Sequence, residues 1–363
     1  MSNLLIIIGK ELIYNKPYMS YTREVLEKHI EYFDSESILN KNDSNFFIKL
    51  EDLINKYDQT VILCEKKSFT FVNKIISTIN SDRLELIDDM LIPSQTILYS
   101  KNSYLVKKEE KAINILSIKE GEEFPDILFQ KNLSSKKFTI INIDIDSLKI
   151  LIEPICSTYE IKIEATTIIE GWIDISASSF KYGNLDNFIK AVKLLFADKF
   201  IENIDIVKHI IERLKESGKK LTAVESCTGG LICSMITEVS GSSAVFDGGI
   251  ITYANSIKNS WVGVNEDTLN KYGAVSENCV QEMLEGIISA SGADYALATS
   301  GIAGPNGGTE EKPVGTVYVG VKSANQEIKI ERLLLKGDRH YIQTQSAYYA
   351  FKLLLEMDKK LFF

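Results

Sequence analysis

The sequence predicts a multi-domain α/β protein, and three observations carry the prediction. Short apolar runs alternate with helix-patterned stretches through the first part of the chain. Glycine is concentrated in the second part, with four glycines before residue 200 and seventeen after it. One segment, 221–236, reads as strand, tight turn and helix. A length of 363 residues suits two or three domains. The pattern divides them at 1–136, 137–200 and 201–363.

In the first segment Leu4–Ile8 and Thr60–Cys64 have the continuous apolar character of buried strands, and Tyr21–Tyr32 and Phe69–Ile79 have helical patterning. The charged stretch Lys107–Glu123 is expected at the surface. The middle segment opens on Phe138–Ile145, followed by a helix from Ser147 to Cys156. Strands Tyr159–Thr167 and Gly171–Ser179 come next, with a closing helix Asn184–Phe196. A unit this small is expected to bridge or dimerise, not to catalyse.

The last segment starts with a helix from Asn203 to Glu216, stopped by Gly218. Leu221–Val224 is the next strand and Leu231–Ile236 begins the helix after the glycine turn. Asp247–Tyr253 is a strand, and Ser276 caps a helix running to about Ala290. Tyr295–Thr299, Thr316–Val321 and Ile328–Leu335 are strands, and Asp338 caps a final long helix. The expected architecture is an α/β sandwich.

Composition narrows the function. A net charge of −9 gives nucleic-acid binding no electrostatic support. No apolar run approaches the roughly 20 residues that span a bilayer, and the Leu4–Ile8 run is too short for a signal-peptide core. A cytoplasmic protein is expected. Five irregularly spaced cysteines without a C-x-x-C pair read as reduced thiols. The three histidines, His29, His209 and His340, lack metal-ligand spacing, so neither a zinc site nor a Ser-His-Asp triad is expected, and no cofactor is called for.

The chemistry concentrates at Glu225-Ser226-Cys227-Thr228-Gly229-Gly230. A turn between strand and helix can expose the Ser226 hydroxyl beside free N–H groups, as acyl transfer requires. Serine needs a base. With histidine set aside, Lys258 in Tyr253-Ala254-Asn255-Ser256-Ile257-Lys258 is the candidate, placed at a strand end beside Tyr253. Moving a lysine pKa from about 10.4 to about 7.5 takes roughly 4 kcal/mol of burial or like-charge repulsion. Tyr253 would wall the pocket, relay a proton or orient the amine. The competing reading makes Ser226 a helix cap and Lys258 a solvated side chain. Cys227 is a second candidate nucleophile, though strand alternation would turn it into packing.

Thr228, Gly229 and Gly230 offer N–H groups to an oxyanion or a phosphate. The loop 300–316 contains five glycines and two prolines. Its residues Ser300, Gly301, Ala303, Gly304, Gly315 and Thr316 are candidates for close ligand contact. Arg339, in the first turn of the final helix, joins a guanidinium to a helix N-terminus and is a candidate phosphate ligand.

These motifs, with Gly273-Ala-Val-Ser276 and Gly337-Asp-Arg339 in the same order, closely resemble the C-terminal domain of the CinA family, named for competence and damage inducibility. The resemblance covers residues 203–363. It implies metal-free hydrolysis of nicotinamide mononucleotide to nicotinic acid mononucleotide and ammonia, in pyridine-nucleotide recycling. Serine nucleophile, lysine and tyrosine would fall on Ser226, Lys258 and Tyr253, while the 300–316 loop and Arg339 would seat ribose and phosphate. The start Leu4-Leu-Ile-Ile-Ile-Gly9-Lys10-Glu11-Leu12 echoes the family's molybdopterin-binding-like domain, and 137–200 resembles its small KH-like unit. The small middle unit, and not the resemblance, is the ground for expecting a homodimer.

The glycine-rich acidic loop expected after the second strand is replaced by Glu65-Lys66-Lys67-Ser68, so the N-terminal domain is read as a degenerate scaffold. Two alternatives remain at this point. One is a bifunctional protein with metal-dependent ADP-ribose pyrophosphatase activity in front. The other is a non-catalytic module that binds nucleotides or a partner linked to competence.

Overall fold

A computed structural model describes residues 2–30, 32–129, 135–179 and 183–363. The chain is a multi-domain α/β protein that divides into two compact units, Met1–Asn132 and Leu133–Phe363.

In the first unit β1 (Asn3–Ile8) leads through α1 (Lys10–Tyr14) and α2 (Lys16–Glu27) to β2 (Ser35–Leu39). Next come α3 (Phe46–Lys56), β3 (Gln59–Glu65) and α4 (Lys66–Ile79), then a hairpin of β4 (Leu84–Ile87) and β5 (Met90–Pro93). Strands β6 (Leu98–Ser100), β7 (Ser103–Lys108) and β8 (Lys111–Ile118) complete a sheet of order β2-β1-β3-β8-β7-β6. Leu4 to Ile8 are all essentially inaccessible because helices cover both faces of this parallel strand. Leu5 and Ile7 pack with Met19 and Leu26 of α2, whereas Leu4 and Ile6 pack with Leu50 of α3 and Val72 of α4.

The exposed placement of Lys107–Glu123 is corrected here. Only its charged ends are exposed. Lys108 pairs with Lys111 across a two-residue turn, and Ile113–Leu116 are buried in a strand between β3 and β7. Charge at a hairpin tip masked an interior strand. Strand β2 and helix α3 were not anticipated. Ser35–Leu39 is a short edge strand with alternating exposure and a weak apolar signal.

The second unit begins with β9 (Ser135–Ile141), α5 (Ile145–Tyr159), β10 (Ile161–Ile169), β11 (Trp172–Ser179), α6 (Leu185–Leu195) and β12 (Phe200–Ile201). They form an antiparallel sheet of order β10-β11-β9-β12. The expected order of helix, two strands and helix is observed.

Next come α7 (Ile206–Ser217), β13 (Leu221–Glu225), α8 (Leu231–Glu238), β14 (Phe246–Ile251), α9 (Asn255–Val262), α10 (Glu266–Lys271) and α11 (Glu277–Ser291). Strands β15 (Tyr295–Gly301), β16 (Thr316–Ser323) and β17 (Ile328–Leu334) follow, and the chain ends in α12 (Arg339–Met357) and α13 (Lys359–Phe362). The sheet order is β14-β13-β15-β16-β17, parallel through β15 and antiparallel beyond it. Period-two alternation makes the sandwich. Ala223 and Leu297 face α7, α8 and α12, whereas Val224, Ala296 and Ala298 face α11. Helix α7 starts at Ile206 instead of Asn203 because the Asp205 side chain caps it by accepting from Lys208 N.

Candidate active site

Strand β13 ends at Glu225, and the chain then turns sharply into α8. Three backbone bonds pin this turn. Ser226 N donates to Thr299 O at the end of β15 at 3.0 Å, Thr252 N donates to Glu225 O at 2.7 Å, and Gly229 N donates to Ser226 O at 3.2 Å. Gln343 of α12 adds a 2.7 Å bond from Nε2 to Cys227 O. Gly230 has φ 100°, and a Cβ there would lie 2.9 Å from Ile251 Cδ1. The left-handed backbone therefore favours glycine here, while the Ile251 methyl could shift aside.

Ser226 and Lys258 are brought together. Lys258 Nζ lies 2.9 Å from Ser226 Oγ, 2.6 Å from Thr252 O and 3.3 Å from Tyr253 O. Lys258 is 1% exposed, and burial lowers its pKa from the ordinary lysine value, with the nearby Cys279 and Cys227 thiols acting weakly the other way. It forms no ion pair among the described residues. A neutral amine has two N–H bonds and one lone pair. Two carbonyl oxygens can take the hydrogens, which leaves the lone pair for the Ser226 hydroxyl proton. That is the arrangement a general base needs.

The expected strand end at Lys258 is instead the middle of α9. Two features hold that helix in place. Gly263, with φ 71°, ends it. Gly286 of α11 admits the Val262 carbonyl at a point where a Cβ would lie 1.9 Å from the oxygen.

Tyr253 approaches Lys258 through its backbone carbonyl and not through its phenol. The ring is 63% exposed, and its hydroxyl accepts from Arg339 Nη2 at 3.0 Å. The expectation that the phenol walls or orients the amine is corrected accordingly. Arg339 also donates through Nη1 to Gly304 O at 2.8 Å. Its guanidinium thus joins the Tyr253 segment to the 300–316 loop. Cys227 is buried in packing, as strand alternation implied. Burial pushes its thiol pKa up to about 12.

The donor set around the turn differs from expectation. The buried Glu225 carboxylate folds over the start of α8 and accepts from Gly230 N at 2.9 Å, Ile232 N at 3.2 Å and Cys233 N at 2.9 Å. A carboxylate at a helix N-terminus is favourable, and here it takes the Gly230 N–H expected to face substrate. Gly229 and Gly230 are therefore corrected as oxyanion or phosphate donors, because both N–H groups are already bonded. The N–H groups of Cys227 and Thr228 have no backbone acceptor among the described residues. The Thr228 hydroxyl pairs with Thr299 Oγ1 at 2.7 Å. Glu225 was quoted in the motif without a role; its signal was a carboxylate immediately before a turn into a helix.

In the 300–316 loop the Ser300 hydroxyl donates to Ala274 O at 2.7 Å, and Gly315 N donates to Ile302 O at 2.8 Å. Gly301 pairs with Val317 at the end of β15, and Ala303 is buried in the core. These contacts assign Ser300, Gly301, Ala303 and Gly315 to holding the loop. The Thr316 hydroxyl is fully buried without a hydrogen-bond partner among the described residues. No cluster of three or more His, Cys, Asp or Glu placed to hold a metal occurs among the described residues, and no helix there is long and apolar enough to cross a membrane.

The family description "CinA C-terminal domain" matches residues 203–357. A CinA-like protein of Thermotoga neapolitana is 51% identical over 138 residues, which are 38% of this chain and 33% of that protein. The nicotinamide-nucleotide amidohydrolase PncC of Enterobacter agglomerans is 47% identical over 142 residues, 39% of this chain and 87% of that protein. Among solved structures, the competence/damage inducible protein CihA of Agrobacterium tumefaciens is 37% identical. It covers 43% of this chain and 97% of that one, with a TM-score of 0.42. The match spans about a third of the first curated relatives' length. The family match at residues 203–357 includes the Ser226 turn, Lys258 and Arg339, and through this domain the chain belongs to the CinA family.

Proposed function

We propose that the protein is a nicotinamide-nucleotide amidase, hydrolysing nicotinamide mononucleotide to nicotinic acid mononucleotide and ammonia. The observation that carries this reading is the 2.9 Å approach of Lys258 Nζ to Ser226 Oγ in a buried site, where Lys258 has no carboxylate partner among the described residues. The amidohydrolase PncC relative, matched over this same domain, supports the substrate class.

In the proposed mechanism Lys258 takes the Ser226 proton as Oγ attacks the carboxamide carbon. The oxyanion forms towards the N–H groups of Cys227 and Thr228. Collapse breaks the C–N bond, and Lys258 returns its proton to the departing nitrogen, which leaves as ammonia. Water, deprotonated by Lys258, then attacks the acyl-serine ester, the C–Oγ bond breaks to release the acid, and Lys258 returns the proton to Ser226 Oγ. Every step uses side chains and backbone, with no metal or cofactor. Arg339 would contact the phosphoribosyl part, and Tyr253 would be positioned by Arg339, whereas the fully buried Thr316 would not reach it. In this reading residues 201–363 catalyse, 137–200 are a bridging or dimerising unit, and 1–136 are a scaffold without pyrophosphatase chemistry. Five free cysteines are consistent with action in the cytoplasm. Exposed Ile150 and Leu194 on α5 and α6 offer apolar surface to a second copy.

The test is ammonia release from nicotinamide mononucleotide in EDTA by wild type, Ser226→Ala and Lys258→Ala. Turnover that survives chelation and collapses in both variants supports the amidase. No turnover by folded wild type refutes it, and turnover by Ser226→Ala refutes the mechanism.

A further inference from the structure

Gln343 lies one turn beyond Arg339 on α12, so the two side chains share a helix face. Each donates to a loop carbonyl, Arg339 to Gly304 O at 2.8 Å and Gln343 to Cys227 O at 2.7 Å. Among the described residues, the Cys227 carbonyl accepts no other hydrogen bond. Its neighbours are held separately. Ser226 N is bonded to Thr299 O and Gly229 N to Ser226 O, and the Thr228 hydroxyl is tied to Thr299 Oγ1. The orientation of the peptide plane between Cys227 and Thr228 therefore falls to Gln343.

A trans peptide points its C=O and its N–H in opposite directions, and this peptide is trans. Holding Cys227 O against α12 therefore directs the Thr228 N–H away from α12. Helix α12 packs in the core layer on one side of the sheet, whereas α9, which carries Lys258, packs in the layer on the other side. The Thr228 N–H has no acceptor among the described residues. It is a free donor turned towards the side from which Lys258 reaches Ser226. Without the Gln343 bond the plane can rotate about its two flanking backbone bonds. Rotation would replace the N–H by the Cys227 carbonyl, whose dipole repels a developing oxyanion.

We propose that Gln343 is a positioning residue for the chemistry at Ser226, aiming the Thr228 N–H at the oxyanion by holding the other end of the same peptide. The proposal rests on the amidase reading for its substrate and on Ser226 as the nucleophile. Gln343 itself touches neither the substrate nor Ser226; its effect passes through the backbone.

The test measures two reactions of the full chain in wild type, Gln343→Met and Gln343→Glu. One is ammonia release from nicotinamide mononucleotide. The other is labelling of Ser226 by an alkyl fluorophosphonate, in which Oγ displaces fluoride from phosphorus while the phosphoryl oxygen uses the same donors, whatever the natural substrate. Gln343→Met removes the donor at similar length. It is expected to lower both kcat and the labelling rate by about 10–10²-fold, a part of what a whole oxyanion donor supplies, with KM within about threefold of wild type. The pH inflection of Lys258 should stay where it is. A glutamate at 343 can donate to Cys227 O only when protonated. The labelling rate of Gln343→Glu relative to wild type should therefore rise as pH falls through its carboxyl pKa, a ratio that cancels the Lys258 titration and serves equally if Gln343→Met does not fold. The proposal is overturned if folded Gln343→Met labels within about threefold of wild type, if its loss lies in KM, or if the glutamate variant gains nothing on acidification. Labelling without ammonia release overturns the substrate assignment alone, and the labelling ratios then decide the role of Gln343. Wild type that neither labels nor turns over overturns both.

Discussion

Lys258 Nζ donates a 2.6 Å hydrogen bond to the carbonyl of Thr252, six residues earlier in the chain. The bond aims the amine without charging it, because a carbonyl, unlike a carboxylate, does not strongly favour the ammonium form. Strand β14 ends at Ile251 and α9 begins at Asn255, so the turn between them sets the aim of the Lys258 amine towards Ser226.

Replacing that base tests the dyad. Lys258→Met is expected to lower kcat by about 10²–10⁴-fold, the usual share of general acid–base catalysis, with the circular dichroism spectrum unchanged. Single-turnover rates on nicotinamide mononucleotide check it. A loss of less than about tenfold would remove Lys258 from the proton path.

The depressed Lys258 pKa fixes the direction of two pH effects. In the proposed mechanism activity requires the neutral amine, so kcat/KM is expected to rise with pH through an inflection below the ordinary 10.5. For stability, the unfolded lysine binds a proton between its folded pKa and 10.5 while the folded one does not. Stability contributed by this group therefore rises with pH across that window and falls as pH drops through it. Urea midpoints against pH should show a slope in the wild type that Lys258→Met flattens.

Glu225 holds the turn from below. Glu225→Gln keeps an acceptor oxygen but loses the charge that three N–H groups share, at an expected cost of about 1–3 kcal/mol. A lowered denaturant midpoint at unchanged m-value would show it. kcat should fall as well, since Ser226 rides on the same turn.

The buried Cys227 thiol, with its pKa raised to about 12, should not react at neutral pH. Treatment with iodoacetamide is expected to leave activity essentially intact. Inactivation that Cys227→Ala abolishes would make the thiol, and not Ser226, the nucleophile.

Arg339 and Tyr253 are joined by one hydrogen bond. Tyr253→Phe and Arg339→Gln should be non-additive in kcat/KM by about 0.5–3 kcal/mol. Strict additivity in a double-mutant cycle would show that the contact carries no function.

Local chemistry in the chain determined much of this protein. The run Leu221–Val224, the following glycines and the second apolar run specify strand, turn and helix, and with them the place of Ser226. Ser276 and Asp338 cap their helices as expected, each accepting from an N–H three residues on. These features depend on neighbours in sequence, where propensity and capping operate. Tertiary structure decided the rest. Helix α9, rich in Asn and Ser, shows little apolar periodicity, so Lys258 read as a strand end until packing against α11 defined the helix. The charged hairpin tip at 108–111 hid β8 for a similar reason, because burial of a strand is set by the strands beside it. Lys258 meets Ser226 across 32 residues, and Arg339 meets Tyr253 across 86. No local pattern encodes which distant partner a side chain will find, and the fold turns the Glu225 carboxylate onto the N–H groups of Gly230, Ile232 and Cys233.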